Sequence, residues 1–194
     1  MFIDRWNPRN PSADINSIFI DRWSPRAFEP RPLTQTQIDS LFEAARWAPS
    51  CFNAQPWLFI FAAEETDRLR FLPALVDKNQ AWVKNASLLI YLLCRRNFSH
   101  NDQANRHAPF DAGAAWMSLA LQARKLGLYA HAMAGFNREK AYEILKVHAE
   151  EYDIMAAIAV GYRADPSQLP EAVAAGEKPS DPKARQDCAR QGFF

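Results

Sequence analysis

Two periods run through the apolar positions of this chain. Ile38, Leu41, Phe42 and Ala45 recur at helical spacing and stop before Pro49, and Thr34-Gln35-Thr36-Gln37 ahead of them has the spacing of a capping box. The pattern predicts a helix that delivers Pro49-Ser50-Cys51-Phe52-Asn53 as a polar turn. Ala115, Trp116, Leu119, Ala120, Ala123 and Leu126 predict a second amphipathic helix, with Gly127 placed to close it in a left-handed conformation. Asn137 is positioned to cap a third helix carrying Ala141, Ile144 and Leu145, and Asp14 to cap a short one with Ile15, Ile18 and Phe19 on one face. Residues 57–63 and 87–94 are continuous apolar runs of strand length, which predicts strands buried on both faces, and a helix pair broken near Pro73 and Asn79 lies between them. Two further strands are expected at 128–134 and 154–160, the second ending at Gly161. Residues 95–107 are polar and aperiodic and read as a surface loop, an access loop if a site lies nearby. From Pro166 onward the chain is polar and rich in Pro, Lys and Asp, a tail that either needs a partner or stays mobile. Strands separated by helical segments imply a mixed α/β or α+β sandwich in one domain.

Composition narrows the partners. The 194 residues hold 23 Lys+Arg against 22 Asp+Glu, a net charge of +1, so nothing in the bulk charge favours a nucleic acid or an anionic membrane. Cys51, Cys94 and Cys188 cannot all pair within one chain and match no disulfide scaffold, which suits a reducing, cytoplasmic setting. The longest apolar run, about residues 88–94, is far short of the ~20 residues that cross a bilayer, and the start of the sequence has no apolar signal core.

The first residues contain an echo: Phe2-Ile3-Asp4-Arg5-Trp6-Asn7-Pro8-Arg9 returns as Phe19-Ile20-Asp21-Arg22-Trp23-Ser24-Pro25-Arg26. One duplication does not make a repeat fold, and residues 1–13 read as an irregular arm. His100, His107, Cys94 and Asp111 match no metal-ligand spacing, so no metal is expected, and His131 and His148 read as ordinary hydrogen-bonded histidines. The six glycines contain no Gly-x-Gly-x-x-Gly cradle. A phosphorylated cofactor would therefore be held by cations, either Arg22 with Arg26 or Lys183 with Arg185.

Arg22-Trp23-Ser24-Pro25-Arg26-Ala27-Phe28, the capped helix, and Ala48-Pro49-Ser50-Cys51-Phe52-Asn53-Ala54-Gln55-Pro56-Trp57 resemble, in order and spacing, the opening of the nitroreductase family of FMN enzymes. Asn79 before Ala86-Ser87, Asp111-Ala112-Gly113 opening the long helix, Ala134-Gly135-Phe136, Gly161-Tyr162 and Lys183-Ala184-Arg185 continue the resemblance over residues 15–194. It implies a three-layer α/β/α sandwich, α+β in class, with a central mixed, mainly antiparallel sheet in an intertwined homodimer. Residues 14–194 would be the FMN-binding domain, with 166–194 packing on the partner subunit. FMN would be held by Arg22, Trp23, Ser24, Arg26, Asn79, Ala134, Gly135, Lys183 and Arg185, with Pro49, Ser50 and Asn53 approaching from the other subunit. Phe52 and Trp82 would wall the substrate pocket. NADH or NADPH would donate hydride in a ping-pong cycle to a nitroaromatic, quinone or similar small acceptor, with no side-chain acid or base assigned. The alternatives are a flavin-binding protein without turnover, for storage or sensing, and a relative with a different flavin reaction.

Overall fold

The computed structural model describes residues 7–192. Its framework is a sheet of β1 (Trp57–Ala62), β2 (Leu88–Arg95), β3 (Tyr129–Met133) and β4 (Tyr152–Gly161) in the spatial order β1-β2-β4-β3, every pairing antiparallel. β2 is its spine. Leu89, Tyr91 and Leu93 point into one buried cluster, and Leu88, Ile90, Leu92 and Cys94 into the other. Because both faces are covered, every position must be apolar, so β2 reads as a continuous run rather than an alternating one.

The helices α1 (Ser17–Asp21), α2 (Gln35–Arg46), α3 (Glu65–Phe71), α4 (Asp77–Val83), α5 (Ala108–Lys125) and α6 (Arg138–Leu145) cover the sheet. α2 and α5 pack against each other on one face, through Leu41, Ala45, Ala115, Leu119 and Ala123. α3, α4 and α6 lie on the opposite face, where Phe71, Trp82, Val83, Ala141 and Leu145 close the second cluster. This is the three-layer sandwich the sequence implied. The capping box is present in full, with Thr34 Oγ1 accepting from Gln37 N at 3.2 Å and Gln37 Oε1 accepting from Thr34 N at 3.0 Å. Asn137 caps α6, and Gly127 closes α5 at φ 76°.

Several expectations shift. β1 is not buried on both faces: as an edge strand paired only with β2, it leaves Leu58 and Phe61 exposed, and Phe61 packs on Phe42 of α2 at 4.7 Å. The α3–α4 pair breaks only at the 3₁₀ turn Leu72–Ala74 around Pro73, and Asn79 sits inside α4. α1 is capped by Asn16, whose side chain accepts from Ile18 N, rather than by Asp14. α5 starts at Ala108, so Asp111 lies in its first turn. The polar loop after β2 is folded on itself, with Phe98 N donating to Gln103 O and Asn105 N to Arg96 O. In β4, Ile154 and Ala157 both join the same cluster, because the register against β2 shifts between Leu92 and Leu93 and one extra residue bulges out. Residues 7–13 of the arm contain no helix or strand, whereas its first six lie outside the described residues. No helix among the described residues is long and apolar enough to cross a membrane.

At the end of β4, a Cβ on Gly161 would stand 3.0 Å from Ser87 Oγ, 3.1 Å from Ser87 N and 3.1 Å from the buried ring of Phe28. Backbone on one side and core on the other leave little room to give. Gly161→Ala is expected to cost about 1–3 kcal/mol, measured as a lower urea midpoint with an unchanged slope.

Candidate functional site

Residues 22–27 follow α1 as an extended segment, and from Asp21 at the end of the helix to Ala27 burial keeps a strict two-residue rhythm. Asp21, Trp23, Pro25 and Ala27 are buried, and Arg22, Ser24 and Arg26 between them are half-buried. Each inward residue is fastened to a different element. The Asp21 carboxylate pairs with Arg124 Nε of α5 at 2.7 Å, and that guanidinium lies 4.2 Å over the ring of Tyr129. Trp23 meets the same ring edge-on at 6.1 Å. Pro25 O accepts from Nδ1–H of His131 at 2.8 Å, and Ala27 O from Ala164 N at 3.0 Å. The backbone N–H groups of Arg26 and Ala27 both donate to Glu177 Oε1, at 2.7 and 2.9 Å.

Alternation along an extended chain turns the remaining side chains the other way. Arg22, Ser24 and Arg26 line one cleft of about 640 Å³, together with Ile15, Phe19 and His131 and the tail from Gly176 to Pro182. Lys178 of that tail adds a cation and Asp181 a carboxylate. Arg26 Nη1 stands 4.0 Å from Glu177 Oε2, but among the described residues no carboxylate pairs with Arg22. Burial lowers the pKa of Arg22 from its ordinary value. It also lowers that of His131, to which Arg26 adds in the same direction, while the bond to Pro25 opposes them. A half-buried guanidinium that pairs with no carboxylate among the described residues, in a cleft of this size, fits an anionic ligand, and a phosphate monoester accepts several such N–H groups at once.

The structure sorts the sequence-predicted residues. Trp23 adjoins the cleft but its ring belongs to the core, 5% exposed, because its parity in the segment points it inward. Trp82 is not a pocket wall: it is 2% exposed, stacked on Phe28 at 6.1 Å and against His131 at 4.9 Å. Lys183 and Arg185 are exposed and do not line the cleft, where Lys178 stands instead. The first part of the tail is anchored on its own chain, and residues 181–192 beyond it are exposed. Val173 enters the core, and the buried carboxylate of Glu177 supplies the acceptor that two otherwise unsatisfied N–H groups need.

Pro49, Ser50, Phe52 and Asn53 lie on the loop after α2 and do not reach the cleft of their own chain. Asp111 Oδ2 accepts from Cys51 N at 3.1 Å, and Ser50 Oγ from Gln55 N at 3.0 Å. Phe52, Asn53 and Gln55 all have positive φ, of 52°, 55° and 46°, and Phe52 is 84% exposed. Asn79 and Gly135 meet directly, Asn79 Nδ2 donating to Gly135 O at 3.0 Å, with Ala134 exposed beside them. A Cβ at Gly135 would fall 2.6 Å from Asn79 Nδ2 and 3.2 Å from Val76 Cγ2, so a side chain here would push the Asn79 amide out of its place. Among the described residues no cluster of His, Cys, Asp or Glu could hold a metal ion. Sequence reasoning missed Glu177 and Lys178, for which no local signal exists, and the anchoring role of Asp111, whose burial follows only from the packing of α5.

The model of the nitroreductase family matches residues 20–80 and 62–162. A solved structure described as an oxidoreductase containing FMN is 38% identical, covers 97% of this chain and 96% of its own, and superposes with a TM-score of 0.92. An uncharacterised 15.4 kDa protein of Mycolicibacterium smegmatis is 33% identical over 126 residues, which are 64% of this chain and 79% of that protein. A protein of Xanthomonas oryzae pv. oryzae, provisionally named NADH dehydrogenase/NAD(P)H nitroreductase, is 25% identical over 147 residues, or 66% of this chain and 75% of its own.

Removing the Glu177 carboxylate leaves two buried N–H groups without an acceptor. Glu177→Ala is expected to lose about 1–3 kcal/mol of stability, measured as a lower urea midpoint, and to speed hydrogen exchange at the Arg26 and Ala27 amides, whereas Glu177→Gln, which keeps an acceptor oxygen, retains most of the stability and of the protection from exchange.

Proposed function

Because the chain belongs to the nitroreductase family, on a match that runs from residue 20 to residue 162, we propose that it is an FMN-dependent NAD(P)H oxidoreductase. One observation carries this reading: Arg22, Ser24 and Arg26 emerge on the same side of a pinned, extended segment into one cationic cleft. Its volume of about 640 Å³ is in the usual range for cofactor sites.

In this reading Arg22 and Lys178 hold the phosphate, and Ser24 and Arg26 the ribityl and pyrimidine side. Lys183, one residue beyond the last tail residue that lines the cleft, and Arg185 add positive charge at the surface. Asn79 spends one amide N–H on Gly135 O, which leaves its carbonyl oxygen and second N–H for the polar edge of the ring. The Ala134–Gly135 backbone would supply a peptide N–H to the ring, a donor that stabilises negative charge. When bound, FMN would supply the electron chemistry of a ping-pong cycle, with NADH or NADPH as hydride donor and a nitroaromatic, quinone or similar small molecule as acceptor. The donor is carried from the name of the Xanthomonas relative. The protein's part is orientation, charge and exclusion of water, so no side chain is given the role of acid or base.

We further propose a homodimer in which Pro49, Ser50 and Asn53 reach the cleft of the second subunit and Phe52 walls the acceptor's place. Trp47, Phe52 and Phe110 are 74%, 84% and 79% exposed, and the Cys51–Asp111 bond gathers the loop of Phe52 to the first turn of α5 that carries Phe110. So large an exposed aromatic corner is ordinary for an interface and unusual for a monomer.

The purified protein is expected to be yellow, to retain FMN and to oxidise NADH or NADPH continuously with a nitroaromatic. Arg22→Ala is expected to weaken FMN binding by roughly tenfold or more, the scale of one charge-assisted hydrogen bond, with an unchanged circular dichroism spectrum. Unchanged affinity removes the phosphate assignment. A single slow reduction without turnover would indicate storage or sensing, and a different product would indicate another flavin reaction. Light scattering is expected to give a dimer that persists on dilution, and a monomer with full flavin occupancy would contradict the shared site.

A further inference from the structure

The arm that begins as a copy of residues 19–26 returns to that segment in space. Asn7 Nδ2 donates to Ile20 O at 2.9 Å, and Arg9 Nη2 donates to Arg22 O at 3.1 Å. Both contacts join residues thirteen apart, so residues 7–9 lie along the end of α1 and the start of the pinned segment. Asn7 Oδ1 accepts from Arg9 N at 3.1 Å and from Arg9 Nε at 3.3 Å, which sets the guanidinium with one edge toward its own arm. Arg9, Asn10 and Pro11 then line the same cleft as Arg22.

We propose that Arg9 is a further phosphate-binding cation of this cleft and that residues 7–11 are a strap across its phosphate end. The proposal rests on the FMN reading and extends it to a segment outside the matched family region, 20–162. Its chemistry follows from what surrounds Arg9. The hydrogen bond from Arg9 Nη2 to Arg22 O places two like-charged residues side by side, and among the described residues neither forms an ion pair with a carboxylate. Burial lowers the pKa of Arg9, and the field of Arg22 lowers it further, with smaller opposing contributions from Asp21 and Asp181. Asp21 is already paired with Arg124, and Asp181 is on the exposed tail. An anion with several acceptor oxygens, shared by Arg9 and Arg22, turns the repulsion into attraction for both, and a dianionic phosphate monoester has that form. Three of the five guanidinium N–H groups of Arg9 remain beyond those given to Asn7 and Arg22.

The test uses the full-length chain titrated with FMN and, separately, with riboflavin, which has the same ring and no phosphate. Arg9→Ala is expected to weaken FMN binding by roughly tenfold and leave riboflavin binding and melting temperature unchanged, with Arg9→Lys recovering part of the loss. Asn7→Ala loosens the arm without removing its charge. An equal loss of FMN in Asn7→Ala and Arg9→Ala would make Arg9 a brace only and overturn the proposal. Full FMN preference in Arg9→Ala, with that preference lost in Arg22→Ala, would overturn it too while leaving the proposed function standing. A wild-type protein that binds neither flavin, or does not prefer FMN to riboflavin, would overturn the FMN reading itself. If inorganic phosphate protects the arm from trypsin as well as FMN does, the strap answers to free phosphate and its role toward the cofactor falls.

Discussion

The cleft depends on residues 21–27 being fastened at every second position. Asp21 is tied to α5, Trp23 and Pro25 to β3, and Ala27 to the segment after β4 and to the tail. With four separate anchors on one face, the register of the other face has no freedom, and three polar side chains emerge together. A slip of one residue would turn Trp23 outward and bury two arginines, a change no part of the scaffold could accommodate, just as a slipped strand exchanges its faces. Positive charge can therefore be held in a partly dry place because the geometry is enforced from behind.

What the sequence made legible is what short-range physics determines. The capping box at Thr34, the Asn137 cap, the glycine closing α5 and the two-sided burial of β2 depend on neighbours within a few residues, and each is present. β1 looked just as buried, but it leaves Leu58 and Phe61 exposed where β3, at the other edge of the sheet, has no exposed residue, a difference set by what packs over each strand. Trp23 and Trp82 show the same boundary. Both lie close in sequence to polar residues of the site, and only the parity of an extended segment, or the inward face of α4, sends their rings to the core.

Glu177 marks the far limit of sequence reading. Its partners are 151 and 150 residues away, and nothing in a run of Ala, Gly, Lys and Pro distinguishes it from the other tail carboxylates. The arm shows the converse. Its resemblance to residues 19–26 was legible at once and its position was not, because a duplicated motif says nothing about whether its copies meet. The candidate site is likewise divided in a single chain. The cleft is assembled, while the Asn79–Gly135 pair and the 49–53 loop lie on surfaces outside it.

That loop carries one more consequence. Three residues other than glycine, two of them Phe52 and Gln55, are in the left-handed region, at about 1–2 kcal/mol each, and the Asp111 carboxylate holds the strained turn at Cys51. A loop kept in an uphill shape behaves as a cocked spring rather than a hinge. It gives Phe52 one fixed attitude toward whatever approaches, and the Asp111 carboxylate, with the Ser50 hydroxyl on Gln55 N, is one of the bonds that set it. Evolution or design could therefore retune the reach of this corner by altering residue 111, without touching any residue that meets a ligand.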